Sequence, residues 1–359
     1  MSLLRDAPSQ VVRVSPSDPP GGGLSRSDLD AAGYSRRRCG RGFRYFCPDG
    51  RPVHDRKVLA RIKDLVIPPA WRNVWICPDP AGHIQATGID AAGRRQYLYH
   101  EQWRAEQDRL KFDQMVEFGA ALPRIRSAVR EALTGRGLTR ERVLAAAVRL
   151  IDLGFFRVGG EEYETENGTF GLATIRREHV RCGRTLLTFT YPAKGSIQRE
   201  QTVAEEQVCD VVRSLKRRQW GGNELLAYRN GRPGGHDVSA ADINAYLQEI
   251  SGRTFTAKDF RTWNVTVLAA VGLAVSQDAS QSDRGSKRAV ARVVREVADY
   301  LGNTPAVARS SYIDPRVIEH YEDGQTIQRV LGQLGASGRL GDLATEGSAE
   351  AAVLRLLRR

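Results

Sequence analysis

The sequence predicts an α+β protein in which a small N-terminal antiparallel β domain precedes a larger, mainly α-helical domain with one β-hairpin. Over residues 34–100, short aromatic and β-branched runs alternate with turn signals such as PDG at 48–50, a pattern typical of antiparallel strands. After Trp103, apolar residues recur at spacings of three and four, which indicates amphipathic helices. The runs RTLLTFTY and IQREQTV, within 184–203, flank a turn that contains Pro and Gly and predict the hairpin.

These patterns divide the chain into four segments. Residues 1–24 are rich in Pro and contain a GGG run, so we expect a disordered tail there. The β domain is assigned to residues 25–105 and the mainly α domain to residues 106–325. Residues 326–359 contain GASGRLGD and end in LRLLRR, which predicts a looser C-terminal tail with a basic amphipathic end.

Local signals predict where the helices begin and end. The first helices are expected over 103–121, 123–134 and 140–152, with Thr139 as the N-cap of the third. A later helix is expected over 286–301. Capping boxes that begin helices are expected at Ser239–Asp242 and Thr256–Asp259. A helix is expected to end at Leu301–Gly302, and new helices are expected to begin at Thr304–Pro305 and Asp314–Pro315.

The composition favours a polyanionic partner. Lys and Arg total 54 against 42 Asp and Glu, which gives a net charge of +12 and a pI near 9.8. Clustered cations gain from the counterions that phosphates release, so nucleic acid is the expected partner; a generally basic surface is the alternative. No apolar run approaches the ~18 residues of a membrane helix. Five Cys without CxxC spacing, and a start without an export signal, favour a cytoplasmic, nucleoid-associated location.

Several common catalytic motifs are missing from the sequence. It contains no GxxxxGK[ST], HExxH or GxSxG pattern, so we expect no nucleotide cofactor, no catalytic metal and no α/β-hydrolase chemistry. The acidic string Glu161, Glu162, Glu164 and Glu166 is more typical of a solvated loop than of a metal site.

Four cationic and hydroxyl side chains stand in unusual settings. Arg157 follows the apolar run LIDLGFF, and Lys194 lies at the predicted hairpin tip. Arg261 lies one turn into the apolar helix expected from about 257, and Tyr312 lies between two Pro-initiated turns. Alone, each has a structural explanation: a helix-end cation, a turn lysine, a surface charge and a half-buried tyrosine. Together they suit phosphoryl transfer without a metal, because Arg can neutralise phosphate oxygens, Tyr can attack and Lys can protonate the leaving oxygen.

The order and spacing of these residues resemble the type IB DNA topoisomerases, specifically the compact bacterial and poxvirus-like group. The resemblance covers about residues 34–325. It is carried by four ordered segments: RVGGEEYETENGTFGLATIRREHV at 157–180, TYPAKGS at 190–196, KDFRTWN at 258–264 and LGNTPAVARSSYIDPRVI at 301–318.

The resemblance implies a DNA breaking–rejoining catalytic domain of the tyrosine-recombinase type, acting on duplex DNA. Its five active-site positions fall on Arg157, Lys194, Arg261, Asn303 and Tyr312. Tyr312 would cleave one strand through a 3′-phosphotyrosine, and the strand would rotate and then be resealed. Because the phosphotyrosine conserves the bond energy, no cofactor, ATP or metal is implied, and the enzyme is expected to act as a monomer.

Further residues are implied as DNA contacts. They are Gln96, Tyr97 and Tyr99 in the β domain, with Tyr163 and Lys258 in the catalytic domain. One position departs from the poxviral and eukaryotic pattern: Asn303 stands where those members carry His, although Asn also occurs in bacterial members. Asn donates a hydrogen bond but does not exchange a proton near neutral pH, so its implied role is hydrogen bonding in the transition state.

Two other functions stay open from the sequence. A tyrosine site-specific recombinase has the same chemistry, but recombinases carry His where this chain has Lys258, and their N-terminal domain is helical. A non-catalytic DNA-binding protein would use the same charge but has no need for Tyr312 beside the cationic set.

Overall fold

The computed structural model describes residues 23–154, 156–159, 168–193, 197–231, 234–277, 282–334 and 347–359. Nearly all of the predicted N-terminal tail therefore lies outside the described residues. The chain forms two compact units, Met1–Phe112 and Asp113–Arg359. Their boundary falls inside a helix, whereas the sequence analysis places it at 105–106. Among the helices of the described residues, none is long and apolar enough to cross a membrane.

The N-terminal unit is built on an antiparallel sheet of five strands in the order β2-β1-β3-β4-β5. Its elements are β1 Tyr34–Cys39, β2 Gly42–Phe46, α1 Arg56–Asp64, β3 Arg72–Ile76, β4 Ile84–Ile89 and β5 Arg95–Tyr99. One face of the sheet and α1 share a small core that contains Ile62, Val74, Ile76 and Ala86. This confirms the predicted antiparallel β domain.

The second unit is mainly helical. Its helices, the first of which crosses the unit boundary, are α2 Glu101–Leu133, α3 Arg140–Gly154, α4 Glu206–Arg217, α5 Ala240–Ser251, α6 Ala257–Val275, α7 Asp283–Leu301, α8 Pro305–Ser311, α9 Pro315–Glu322, α10 Gln328–Leu334 and α11 Ser348–Leu357. A sheet of β6 Val180–Cys182, β7 Leu187–Ala193 and β8 Ile197–Val203 contains the predicted hairpin. Two short strands, β9 Ala227–Tyr228 and β10 His236–Asp237, pair separately.

Most predicted helix ends are confirmed because the signals that set them are local. The capping boxes at Ser239 and Thr256 form, and Asp314 and Thr304 accept hydrogen bonds from the first turns of α9 and α8. The predicted break at Pro123 is wrong, since α2 continues through it. Every third or fourth residue around it, Phe118, Leu122, Ile125 and Val129, is fully buried, and that burial outweighs the ~3 kcal/mol cost of an interior Pro.

The end of the predicted C-terminal tail is part of the core. In α11, Ala349, Ala352, Val353, Leu356 and Leu357 are buried, and so is Glu350. The Glu350 carboxylate accepts hydrogen bonds from Arg126 at 2.6 and 3.0 Å and from Trp263 Nε1 at 2.9 Å. Arg126 also holds Asp152 through two bonds of 2.8 and 2.9 Å. The sequence signal missed this helix because its partners lie more than 80 residues away in the chain.

We expect Glu350→Ala to lower the free energy of unfolding by about 3 kcal/mol, because it leaves the buried Arg126 charge with half of its carboxylate partners. Urea unfolding followed by far-ultraviolet circular dichroism measures the loss. The matched control is Glu249→Ala, which removes an exposed ion pair to Arg140 and should cost less than about 1 kcal/mol. Equal losses in the two variants would contradict the role assigned to Glu350.

Candidate active site

The C-terminal end of α7 gathers three arginines. Each donates from Nη2 to a different one of three successive carbonyl oxygens: Arg199 to Tyr300 at 3.1 Å, Arg261 to Leu301 at 3.2 Å and Arg157 to Gly302 at 3.0 Å. The last carbonyls of a helix have no partner within the helix and carry partial negative charge. The helix end therefore acts as a fixed, weakly anionic anchor for three guanidinium groups.

Gly302 determines where α7 ends. It adopts the left-handed conformation, with φ at +67°, and its N–H donates to carbonyls of the last helical turn. A Cβ at this position would lie 2.6 Å from Nη2 of Arg199. Both the backbone conformation and the close approach of the guanidinium therefore require glycine here.

Arg157 orients the amide of Asn303. Its Nη2 donates to the Asn303 Oδ1 at 2.7 Å, which leaves the amide nitrogen as the free donor. Asn303 in turn hydrogen-bonds the hydroxyl of Tyr312. The backbone at Arg157 is fixed because its carbonyl accepts from Leu172 at 2.8 Å.

Arg261 lies in the second turn of α6, buried to 4% exposure. Its Cζ lies 5.8 Å from the ring centroid of Tyr312, and its side chain hydrogen-bonds the hydroxyl. Burial and the nearby charge of Arg157 lower the pKa of Arg261 to about 10. The group therefore stays charged at neutral pH.

The backbone of Tyr312 is fixed to α6. The residue ends α8, and its carbonyl accepts from Thr266 Oγ1 at 3.1 Å. Thr266 Oγ1 in turn accepts from the N–H of Asp314 at 3.2 Å. Because Arg261 and Thr266 both belong to α6, one helix holds both the tyrosine and the cation beside it.

Burial raises the pKa of Tyr312, but the positive charges of Arg261, Lys258 and Arg157 and the hydrogen bond from Asn303 outweigh it. The net pKa of the Tyr312 hydroxyl lies below that of an ordinary tyrosine. Lys258, in the first turn of α6, is exposed. A phenol in this setting is an activated nucleophile, since cations and donors stabilise its ionised form.

Tyr191 on β7 lies near the same arginines, but its pKa shifts in the opposite direction. Burial raises the pKa of Tyr191 to about 12, although the charges of Arg199, Arg261 and Arg157 lower it. Its hydroxyl donates to Gln201 Oε1 at 2.7 Å. Of these two tyrosines, only Tyr312 has its ionised form favoured.

The structure brings together four of the five residues that the sequence assigns to catalysis: Arg157, Arg261, Asn303 and Tyr312. Lys194 and Tyr163 lie outside the described residues. Arg199 belongs to the same cluster, and the sequence analysis does not assign it a role. The available signal is strand alternation, since Arg199 shares the inward face of β8 with Gln201 and Val203.

The predicted DNA contacts on β5 lie on two faces of the strand. Tyr97 and Tyr99 share one face, with ring centroids 6.1 Å apart and planes 20° from parallel, and Tyr97 is 37% exposed. Gln96 is buried, and its amide donates to Asp90 Oδ2 at 2.8 Å. The contact role of these residues stays a prediction.

Within the described ranges, no group of three or more His, Cys, Asp or Glu side chains is arranged to hold a metal ion. The acidic residues Glu161, Glu162, Glu164 and Glu166 lie outside those ranges. The five cysteines are free thiols.

Comparison with known proteins gives one consistent family. Residues 100–334 match the model for the eukaryotic DNA topoisomerase I catalytic core, and residues 42–90 match the N-terminal domain of bacterial DNA topoisomerase IB. DNA topoisomerase 1B of Acanthamoeba polyphaga mimivirus is 28% identical over 297 residues, which cover 81% of this chain and 88% of that protein. DNA topoisomerase 1B of Vaccinia virus (strain Copenhagen) is 22% identical over 271 residues, 74% of this chain and 80% of that protein.

Among solved structures, the XerH site-specific recombinase bound to its difH substrate aligns with 57% of this chain and 52% of that chain. The TM-score is 0.33 and the sequence identity is 11%.

We expect the hydroxyl of Tyr312 to ionise at a lower pH than an ordinary tyrosine. An ultraviolet titration of the wild-type protein, from which that of Tyr312→Phe is subtracted, isolates this one group. In Arg261→Gln the ionisation should move to higher pH, because a cation that stabilises the phenolate is lost. Arg217→Gln, which removes an exposed charge from α4, should leave it unmoved. An ordinary or raised value in the wild-type protein would contradict the prediction.

Proposed function

The chain belongs to the type IB DNA topoisomerase family, and on this premise we propose how its residues cleave and rejoin DNA. The observation that supports the proposal is the convergence of two anchored arginines, an oriented amide and a tyrosine of lowered pKa at the end of α7. Each of these groups meets one requirement of an attack on a phosphodiester.

Tyr312 is the proposed nucleophile. Its oxygen attacks the phosphorus of one strand, the bond from phosphorus to the 5′ oxygen breaks, and a 3′-phosphotyrosine with a free 5′ hydroxyl results. One phosphoester bond is exchanged for another, so the reaction runs in reverse after the strand has rotated. No ATP is consumed in this scheme.

Arg157 and Arg261 are proposed to bind the non-bridging oxygens of the phosphate. Each commits Nη2 to a carbonyl of the α7 end, and a guanidinium has five N–H donors in all. Cations that are already fixed before the substrate binds need no reorganisation as charge develops. Asn303 supplies a further donor, and its amide does so at any pH in the physiological range.

Lys194 is proposed to protonate the leaving 5′ oxygen, as the resemblance implies. An alkoxide is a poor leaving group, and a lysine ammonium is a suitable acid for it. We further propose that the enzyme acts as a monomer in the cytoplasm on duplex DNA.

The β1–β2 hairpin of the N-terminal unit supports a phosphate-binding role for that unit. Arg37 and Arg44 lie directly opposite each other in the register, an arrangement that is unfavourable for like charges. Two more arginines, Arg38 and Arg41, are exposed on the same hairpin. An anionic backbone would relieve this repulsion. Tyr97 and Tyr99 are proposed as further contacts from β5, with Lys258 and Tyr163 from the second unit.

The central experiment is relaxation of negatively and positively supercoiled plasmid in EDTA without ATP. We expect relaxation of both signs, and denaturant trapping should leave protein on the 3′ end of the cleaved strand. Tyr312→Phe should bind duplex DNA with nearly unchanged affinity and form no adduct, because only the attacking oxygen is missing.

Two outcomes would overturn this mechanism. Adduct formation by Tyr312→Phe would exclude Tyr312 as the nucleophile. Failure of the wild-type protein to relax plasmid, together with strand exchange between paired sites, would favour the recombinase alternative.

Replacing Arg37 and Arg44 together by Gln should flatten the salt dependence of duplex binding. The slope of log affinity against log salt should fall by roughly 2, since each lost phosphate contact removes about 0.9. Fluorescence anisotropy in the Tyr312→Phe background measures binding without cleavage. Arg51→Gln is the matched control, because Arg51 is exposed in the same unit and lies 3.6 Å from Asp49. An unchanged slope in the double variant would show that the hairpin does not contact DNA.

A further inference from the structure

Arg199 is a further cationic residue at the site, in addition to the five positions that the resemblance assigns. It lies on β8 directly opposite Tyr191, on the strand face that also carries Gln201 and Val203. Gln201 links this face to α3 through the carbonyl of Gly154. Strand β8 is therefore anchored to α3, and the guanidinium of Arg199 extends from it to the C-terminal end of α7.

The contacts of Arg199 are concentrated on the turn that follows α7. Its Nη2 donates to the carbonyl of Tyr300 at 3.1 Å. The guanidinium also covers Gly302 so closely that a Cβ there would lie 2.6 Å from Nη2 and 2.9 Å from Cζ. These two contacts lie on either side of Leu301, and the next residue after Gly302 is Asn303.

The turn needs such support because glycine does not restrict it. Gly302 loses more conformational freedom on ordering than any other residue type would. Arg157 holds the far side of the turn through the Gly302 carbonyl and the Asn303 amide. Arg199 holds the start of the turn through the Tyr300 carbonyl and its packing on Gly302. The two arginines therefore fix the turn at both ends.

We propose that Arg199 is a positioning residue for the cleavage reaction, acting by fixing the Gly302–Asn303 turn and thereby the amide donor of Asn303. This inference rests on the proposed function, since it assigns Arg199 a part in the same reaction. The competing role, a direct contact from Arg199 to a DNA phosphate, makes a different prediction because it does not pass through Asn303.

A double-mutant cycle separates the two roles. Single-turnover cleavage of an end-labelled duplex by excess enzyme is measured for the wild type, Arg199→Ala, Asn303→Ala and the double variant. We expect Arg199→Ala to slow cleavage roughly tenfold, within the usual range of coupling between contacting residues. In the Asn303→Ala background the same change should have little further effect, because the donor that Arg199 positions is already gone.

Two additional variants distinguish positioning from general destabilisation. Arg199→Lys keeps the charge and can still donate to the Tyr300 carbonyl, so it should recover most of the lost rate. Arg213→Ala is the matched control: Arg213 also donates to loop carbonyls, those of Gly183 and Arg184, and lies on α4. It should cleave at the wild-type rate. Thermal unfolding of each variant checks that the fold is kept.

Duplex affinity in the Tyr312→Phe background completes the test. A positioning role predicts unchanged affinity and salt slope for Arg199→Ala. Three results would each overturn the proposal. The effects of Arg199→Ala and Asn303→Ala on the cleavage rate could multiply in the double variant, or Arg199→Ala could reduce the salt slope of binding, or it could leave the cleavage rate unchanged. If the wild-type protein itself forms no adduct, the proposed function fails, and that result is distinct from a failure of the Arg199 proposal.

Discussion

The C-terminal end of α7 is the constraint on which the active site depends. Arg157, Arg199 and Arg261 repel one another, and the charges of Arg157 and Arg199 both lower the pKa of Arg261. Three successive carbonyls at the negative end of a helix dipole offset this repulsion. The cations are thus assembled before any phosphate is bound. A phosphate bound by Arg157 and Arg261 would replace their mutual repulsion by attraction, which favours the transition state most because its charge is greatest.

Helix α6 connects these active-site residues to the core of the second unit. Arg261 reaches the α7 end, Thr266 holds the backbone of Tyr312, and Asn264 donates to the carbonyl of Asp152 at the end of α3. Trp263, on the same helix, donates to Glu350 of α11. Four side chains within six positions therefore connect the proposed nucleophile, a cation and the charge network of the core. A change that shifts α6 would move all of them together.

The sequence predicts features whose causes lie close together in the chain, and it fails where the causes are distant. The stops and starts at Gly302, Thr304 and Asp314 follow from local capping, and the motif around each residue identifies Arg261 and Tyr312. The continuity of α2 through Pro123, the burial of α11 and the position of Arg199 depend on contacts between residues far apart. Arg199, for example, meets its carbonyl partner 101 positions along the chain. Strand alternation predicts that Arg199 faces inward from β8, but neither periodicity nor spacing identifies the partner it meets there.

Electropositive surroundings alone do not select the nucleophile. Tyr191 is buried and Tyr312 is half-buried, and both lie among the same arginines, yet the pKa of Tyr191 rises to about 12 and that of Tyr312 falls. Burial raises both pKa values, but at Tyr312 the charges of Arg261, Lys258 and Arg157 and the hydrogen bond from Asn303 outweigh it. At Tyr191 the charges of Arg199, Arg261 and Arg157 do not. Tyr191 donates its proton to Gln201, a bond that exists only in the neutral form. Tyr312 accepts from Asn303 and Arg261, bonds that strengthen when the proton leaves. The hydrogen bonds to Tyr312, one of them from the amide that Arg157 orients, therefore add to the nearby charges that lower its pKa.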